Sequence, residues 1–388
     1  MPKIKFHKYL ALLLSMLLFT STLSGCWNYR EIESLIVVSG IAIDKNPDTN
    51  QIEVTTEFVD IKTGKEIVTE AKTITLSGDT MFEIARKLIT VSGKRAYWSH
   101  SQVMIISETI AREGLAKIID WYVRDAETRT DISVCVSKEK TAKEILFAHA
   151  FTKSIVSFEL ASVLKNESSV STAPLIDLWD YISDLKQEGK NAMLPTVLLK
   201  GKGREATPYV DGLAVFKGDR LIGTIAGEST QYLLFANNKI KGGILTLGKT
   251  PYDESRSISL EIFKSKSKIK PIISNNEVEI QILINTKVAL AEIEYFENFS
   301  SVDVRKEIEE RANIMLQNNV MAVIKRFQQE YDADVFGFGE KIEKDMPTVW
   351  KGIKDDWPEK FKTLKVSVKS DIKIKNSATT NTPIEMGD

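Results

Sequence analysis

The spacing of apolar positions predicts strands and helices in alternation through the first part of the chain. Strands are predicted at 35–43, 51–58, 66–76, 103–106 and 131–137, where β-branched residues run together or alternate with polar ones. Strands separated by helical segments favour an α/β unit, so we predict one over residues 26–140, with its helices covering one face of a mixed sheet.

Two helices are predicted within this unit. Thr80 and Glu83 have the spacing of a capping box, and Gly93 marks the end of the first helix. Its predicted apolar stripe is Phe82, Ala85, Leu88 and Ile89. The second helix is predicted over 111–125, with inward positions Leu115, Ile118, Ile119 and Tyr122.

Residues 141–208 are predicted to be mainly helical and to form part of the N-terminal region or a middle domain. The clearest helical stretches are 151–164 and 174–185, with Pro174 in a first turn, and a short strand follows at 194–199. The segment Lys200–Pro208 contains two glycines and a proline. That composition is typical of a linker, so the main domain boundary is predicted there.

A second α/β region is predicted over 209–376, so the predicted fold class is α+β or α/β, multi-domain, with mixed β-sheets and packed helices. It opens with a hairpin around Gly218 and Asp219, followed by long alternating strands at 257–270 and 277–290. A helix over 303–331 has an apolar stripe of Ile308, Ala312, Met315, Val323 and Phe327. A shorter helix places Trp350, Ile353 and Trp357 on one side, and a final strand is predicted at 366–374. The polar residues 377–388 are expected to be a disordered tail.

The first 26 residues contain the parts of a lipoprotein signal in order. Lys3, Lys5 and Lys8 precede an apolar run that is shorter than the roughly 20 residues of a membrane span, and Leu23-Ser-Gly-Cys26 follows. We therefore expect cleavage of residues 1–25 and modification of Cys26 as an N-palmitoyl, S-diacylglycerol cysteine. Two acyl chains hold a protein stably on a bilayer. The alternative is an ordinary secretory signal with an incidental cysteine.

Net charge and cysteine content limit which partners and which cysteine chemistry are expected. Without its signal the chain has 49 basic and 53 acidic side chains, a net charge of −4, so nothing favours nucleic acid as a partner. Membrane attachment is therefore expected to depend on the lipid. Once Cys26 is acylated, Cys135 has no cysteine left for an intrachain disulfide, and its β-branched surroundings predict a buried small hydrophobe rather than a reactive thiol.

Candidate chemistry is sparse, and neither a cofactor nor a metal is expected. His100 and His149 have no local partner for metal binding, and we interpret them as turn and helix-end residues. Asp332 and Asp334 resemble part of a calcium loop, but the spacing of an EF-hand is missing, which favours a polar helix end followed by glycines. No phosphate loop, nucleophile elbow or zinc-protease motif occurs.

One aromatic group in the C-terminal region has two interpretations. Trp350, Trp357 and Phe361 are predicted to pack in the core next to the C-terminal sheet. The alternative is an exposed aromatic patch that binds a membrane protein.

Several short segments, taken together and in order, resemble one family. They are Gly25–Ile32, Gly40–Asp44, Ser99–Ile106, Ala111–Leu115 with Arg124 and Asp125, Gly212–Phe216, Ala333–Gly339, and Pro347–Lys351 with Trp357. Over nearly its whole length the chain is similar to the Ger(x)C lipoproteins, the C subunits of nutrient germinant receptors in endospore-forming bacteria. The only functional residue that the resemblance assigns is Cys26.

The resemblance implies a non-enzymatic subunit built of three α/β domains with mixed sheets. It would be lipid-anchored on the outer face of the spore inner membrane, a cytoplasmic membrane, and would assemble with two multispanning subunits, the A and B types. The complex would sense nutrients such as amino acids or sugars and trigger germination. Two other functions stay open from the residues alone: a solute-binding lipoprotein that captures the nutrient itself, and an enzyme that processes lipid or cell wall.

Overall fold

The computed structural model describes residues 3–22, 31, 34–62, 68–248, 257–293 and 302–376. These residues form a mixed α+β fold with two β-sheets and helices packed against them, which confirms the predicted fold class. The strands are β1 (Leu35–Lys45), β2 (Ile52–Lys62), β3 (Val68–Gly78), β4 (Arg95–Tyr97), β5 (Val103–Ile106), β6 (Ser133–Ser137), β7 (Met193–Lys200), β8 (Thr207–Lys217), β9 (Arg220–Ile225), β10 (Ile244–Leu247), β11 (Ile258–Ser274), β12 (Glu277–Ile293) and β13 (Lys365–Asn376).

Helices connect most of these strands. They are α1 (Lys3–Thr22), α2 (Met81–Ser92), α3 (Glu108–Glu113), α4 (Ala116–Arg124), α5 (Lys143–Leu146), α6 (Val156–Lys165), α7 (Leu178–Lys186), α8 (Gly227–Ala236), α9 (Val302–Arg326), α10 (Phe338–Asp345), α11 (Pro347–Ile353) and α12 (Trp357–Thr363).

The first sheet has the strand order β3-β2-β1-β5-β6-β7-β8-β9, with β4 paired to the start of β1. Its centre is parallel, and β5 and β6 are buried along their whole length, as parallel strands covered on both faces usually are. Antiparallel pairs complete both sides. Lys200 pairs with Thr207. The segment predicted as a linker therefore joins two neighbouring strands of this sheet rather than two separate sheets.

The second sheet has the order β10-β11-β12-β13. Strands β11 and β12, both predicted from their alternation, form a long hairpin closed by Asn275 and Asn276 with positive φ angles of 49° and 65°. Asparagine tolerates this conformation better than most residues. Helix α9 lies next to β13, and the two sheets share one continuous apolar core. The buried side chains of α9 are Ile308, Ala312, Leu316, Val320, Val323 and Ile324.

Buried carboxylates attach the helices after β6 to the first sheet. Glu57 is fully buried and accepts hydrogen bonds from the backbone N–H groups of Val156 and Ser157 at the start of α6. A negative charge at a helix N-terminus is favourable because unpaired N–H groups point toward it. Gly40 lets α6 approach, since a Cβ there would lie 2.0 Å from the Ser157 Oγ.

Several predicted helix boundaries are wrong, and tertiary contacts explain them. The helix predicted over 111–125 is two helices, α3 and α4, separated at Gly114 with φ 118°. Helix α7 begins after its cap Asp177, so Pro174 lies outside it. Residues 151–153 are not helical, because their N–H groups donate to the Glu159 carboxylate.

The predicted face of α2 is also partly wrong. Its cap is as predicted, because the Thr80 hydroxyl accepts from the Glu83 N–H. The buried residues, however, are Met81, Ile84 and Leu88. Phe82 is 51% exposed and packs under the Arg86 guanidinium instead.

The C-terminal helical region is more divided than predicted. Helix α9 changes to a π-helical turn at Phe327–Tyr331. The single short helix predicted around Trp350 and Trp357 is two helices, α11 and α12, and a further helix, α10, precedes them. Cys26 and the tail 377–388 lie outside the described residues. In the described part of the chain, no helix has both the length and the apolarity to cross a membrane.

Candidate functional site

A cavity of about 340 Å³ lies where the loop before β7, the end of β8 and the C-terminal helices meet. The structure brings together here several residues that the sequence pointed to separately. Asp332, Asp334, Trp350, Trp357 and Phe361 all line it. It is the candidate site of this chain because the two regions of the sequence contribute side chains to one cavity.

Asp332 is an ion-pair residue at this cavity. It ends the π-helical turn after α9 with a left-handed backbone, φ 48°. Its carboxylate accepts a hydrogen bond from the Lys217 Nζ at 2.6 Å and lies 3.5 Å from the Lys362 Nζ. Lys217 belongs to the first sheet, so this pair connects the C-terminal region to that sheet.

Asp334 organises the loop that follows. Its side chain is 2% exposed and accepts hydrogen bonds from the backbone N–H groups of Phe336 and Gly339. Burial raises the pKa of Asp334 to about 6, and these N–H donors limit the rise. The Asp334 N–H donates to the Asn191 Oδ1, and the Asn191 N–H donates to the Asp334 carbonyl oxygen. The loop before β7 is therefore hydrogen-bonded to the C-terminal loop.

Two glycines bring these loops into backbone contact. A Cβ on Gly339 would lie 2.6 Å from the Cα of Gly189, and one on Gly189 would lie 2.6 Å from the Cη2 of Trp350. Contacts this short do not occur for real Cβ atoms, so each position requires glycine unless the chain shifts. The sequence marks Gly339 as a turn residue, whereas its contact with Gly189 has no sequence signal.

The aromatic residues form the wall behind the loops. Trp350 and Trp357 meet edge to face at 5.3 Å between ring centroids, and Phe361 packs next to Trp357. All three are buried, at 3%, 6% and 1% exposure. This confirms the core-packing interpretation and excludes an exposed patch made of these three rings.

The two carboxylates at the cavity each engage groups of the chain itself. Both are already paired, Asp332 with lysines and Asp334 with backbone N–H donors. Among the described residues, no group of three or more His, Cys, Asp or Glu side chains is arranged to hold a metal ion.

The remaining candidate residues lie away from the cavity. His100 ends a 3₁₀ turn and contacts Phe158, and the His149 N–H donates to the Ala206 carbonyl oxygen. Cys135 is fully buried in β6, which confirms its interpretation as a small hydrophobe. Burial raises the pKa of its thiol and keeps it protonated.

The raised pKa of Asp334 predicts a specific pH dependence. Its pKa of about 6 in the folded chain exceeds the ordinary 3.8, so between these values the folded state binds more protons than the unfolded state. The contribution of this group to stability therefore falls as pH rises from about 4 to about 6.

We expect the wild type to have a larger stability advantage over Asp334→Asn at pH 4.5 than at pH 7. Asparagine is of similar size and does not ionise, so the difference between the two chains isolates this group. Urea unfolding of both chains at each pH measures it. An advantage that grows with pH would show instead that the N–H donors dominate the pKa of this carboxyl.

Two family models match the chain in succession. One is described as "Spore germination protein N-terminal domain" and matches residues 28–199; the other is described as "Spore germination B3/ GerAC like, C-terminal" and matches residues 211–378. The chain belongs to the Ger(x)C family of spore germination proteins. The gap between the two models coincides with the connection of β7 to β8.

Individual members of the Ger(x)C family are similar over nearly their full length. Spore germination protein KC of Bacillus subtilis (strain 168) is 25% identical, covering 95% of this chain and 96% of its own length. Spore germination protein B3 of the same organism is 25% identical, covering 92% and 95%. The crystal structure of the GerBC protein has a TM-score of 0.57 and 22% identity, covering 87% of this chain and 97% of that one, so it shares the fold.

Membership of the Ger(x)C family gives this chain a role in spore germination. The candidate cavity joins the two parts that the family models match separately, since Gly189, Lys190 and Asn191 come from the first and the Asp332–Gly339 loop comes from the second. Sequence reasoning missed the three residues of the first part, because they belong to no motif and meet the loop only in the folded chain.

Proposed function

We propose that this chain is a non-enzymatic lipoprotein subunit of a nutrient germinant receptor, needed for assembly or signalling of the membrane complex that triggers germination. The observation that carries the proposal is the order of its parts. The lipoprotein signal ending at Cys26 is followed directly by the N-terminal family match at 28–199 and then by the C-terminal match at 211–378. Its partners are two multispanning membrane subunits, the A and B types.

The proposed location is the outer face of the spore inner membrane. Acyl groups on Cys26 would hold the chain there, because two chains bury enough methylenes for stable anchoring. Helix α1 supports the proposal that the signal is removed, because its side chains Tyr9, Leu12 and Leu13 are 71%, 68% and 65% exposed and so do not pack into the fold.

The cavity supports an assembly role better than capture of a nutrient. The Asp334 N–H donates to the Asn191 Oδ1, and the Lys190 Nζ lies 3.6 Å from the Glu340 carboxylate besides its ion pair with Asp184 at 2.6 Å. These contacts hold the two parts together.

A solute-binding lipoprotein stays the second candidate, because a cavity of this size would accept a small molecule. Titration calorimetry of the purified mature chain against a panel of nutrients separates the two candidates. We expect no ligand-specific heat. Saturable heat with one nutrient, lost in Lys217→Ala at the cavity wall but kept in the distant exposed variant Lys264→Ala, would favour capture instead.

A further inference from the structure

The folded part of the chain begins at one end of the first sheet. Leu35 opens β1 and pairs with Arg95, the first residue of β4. Strands β5 and β6 run parallel to β1 and begin further along it, level with Gly40. Strand β2 is antiparallel to β1, so β2 ends and β3 begins there as well. We call this the entry end of the first sheet.

Five large apolar side chains are exposed at the entry end. Ile61 and Val68 lie where β2 and β3 meet, and Val91 lies in the last turn of α2 before β4. Tyr97 is the last residue of β4. Trp179, in the first turn of α7, lies near the start of β6 because its backbone N–H donates to the Thr130 carbonyl oxygen. Their exposures are 60% for Ile61, 45% for Val68, 59% for Val91, 44% for Tyr97 and 63% for Trp179.

The length of the connection to Cys26 keeps this end close to the membrane. Residues 27–34 separate Cys26 from Leu35 in the sequence. An extended chain spans at most about 3.6 Å per residue, so Leu35 lies within roughly 30 Å of an acylated Cys26. The opposite end of β1, at Lys45, is a further 33 Å or so away along the strand at about 3.3 Å per residue.

The charges at the entry end are paired, which favours apolar contact with the bilayer interface over electrostatic binding to anionic lipid headgroups. Lys62 is paired with Glu70, Lys72 with Asp60, and Arg95 lies 3.6 Å from Glu127. These three cations are therefore balanced by neighbouring acids. Tryptophan and tyrosine are enriched at the level of lipid headgroups, where their rings contact apolar chains and their polar atoms contact water.

We propose that the entry end of the first sheet rests on the lipid bilayer, with Ile61, Val68, Val91, Tyr97 and Trp179 in contact with lipid. The inference rests on the proposed anchor at Cys26, and it adds an orientation: the first sheet stands with its strands rising from the membrane. The turn between β1 and β2, which includes Asp48, is then held away from the bilayer.

A single-site fluorescence experiment tests this orientation. Val91→Cys and the control Asp48→Cys each carry an environment-sensitive dye; both sites are exposed, and Cys135 is buried and so escapes labelling. The lipidated full chain is reconstituted into phosphatidylcholine vesicles that contain nitroxide-labelled lipid. We expect at least twofold quenching and a blue shift at position 91, and neither at position 48.

The outcomes separate this inference from the anchor itself. Equal signals at the two positions on vesicle-bound chain would overturn the orientation and leave the anchor intact. Failure of the lipidated chain to float with the vesicles would overturn both. If position 91 becomes shielded only when the membrane subunits are added, a protein covers the entry end and the lipid contact is wrong.

Discussion

Replacing Cys26 with alanine is expected to release the chain from the membrane and to abolish nutrient-triggered germination. Alanine has no thiol to accept a diacylglycerol, and each methylene lost from the anchor removes roughly 0.8 kcal/mol of membrane affinity. The missing acyl chains of the diacylglycerol and the N-palmitoyl group contribute far more membrane affinity than surface contacts at the entry end would. Fractionation of spores followed by immunoblotting measures the retention, and the fall in optical density on adding nutrients measures germination.

Cys135→Ala is the matched control, because it removes the other cysteine from a fully buried position that has no route to acylation. That variant should stay in the membrane fraction and germinate. Membrane retention of Cys26→Ala at the wild-type level would contradict the proposed anchor.

Gly339→Ala is expected to cause a large loss of stability through a clash at the candidate site. The new Cβ would lie 2.6 Å from the Cα and carbonyl oxygen of Gly189, which are backbone atoms that cannot rotate away. Overpacking of this kind costs about 1–3 kcal/mol, and more where the backbone must move. The urea midpoint of the mature chain should fall accordingly, and the Asp334–Asn191 contacts should loosen.

Gly352→Ala provides the comparison. Gly352 lies in α11 without a positive φ, and a Cβ added there would have no neighbouring atom within 4 Å. Alanine is the better helix former by about 1 kcal/mol, so this variant should be neutral or slightly more stable. If the two substitutions have equal effects, the contact between Gly189 and Gly339 does not hold the two parts together.

The elements that sequence predicted well are those with a sustained period and one buried face. Strand β12 buries Ile280, Ile282, Ile284 and Val288 on alternate positions, and α9 buries a stripe at helical spacing. Such patterns are local, so they are readable without knowledge of the partners.

The boundaries that sequence missed are set by residues far along the chain. Helix α4 starts separately from α3 because Asp219 accepts hydrogen bonds from the N–H groups of Leu115 and Ala116. Helix α6 starts where the Glu57 carboxylate meets its first N–H groups. A cap about a hundred residues away leaves no mark in a local window, so the capping rules pointed elsewhere.

Sequence reasoning identified only part of the candidate site, for the same reason. Asp332, Asp334 and the tryptophans stood out because carboxylates, glycines and aromatics cluster in the C-terminal sequence. Gly189 and Asn191 did not, because a backbone contact and an amide hydrogen bond between remote loops carry no motif.

The measurement that tests the central claim most directly is germination of spores that lack this chain, scored over a panel of single nutrients beside wild-type and complemented spores. A receptor subunit predicts that the response to at least one nutrient is lost, that complementation restores it, and that responses through other receptors persist. Normal germination of the deletion spores on every nutrient to which the wild type responds would contradict the account.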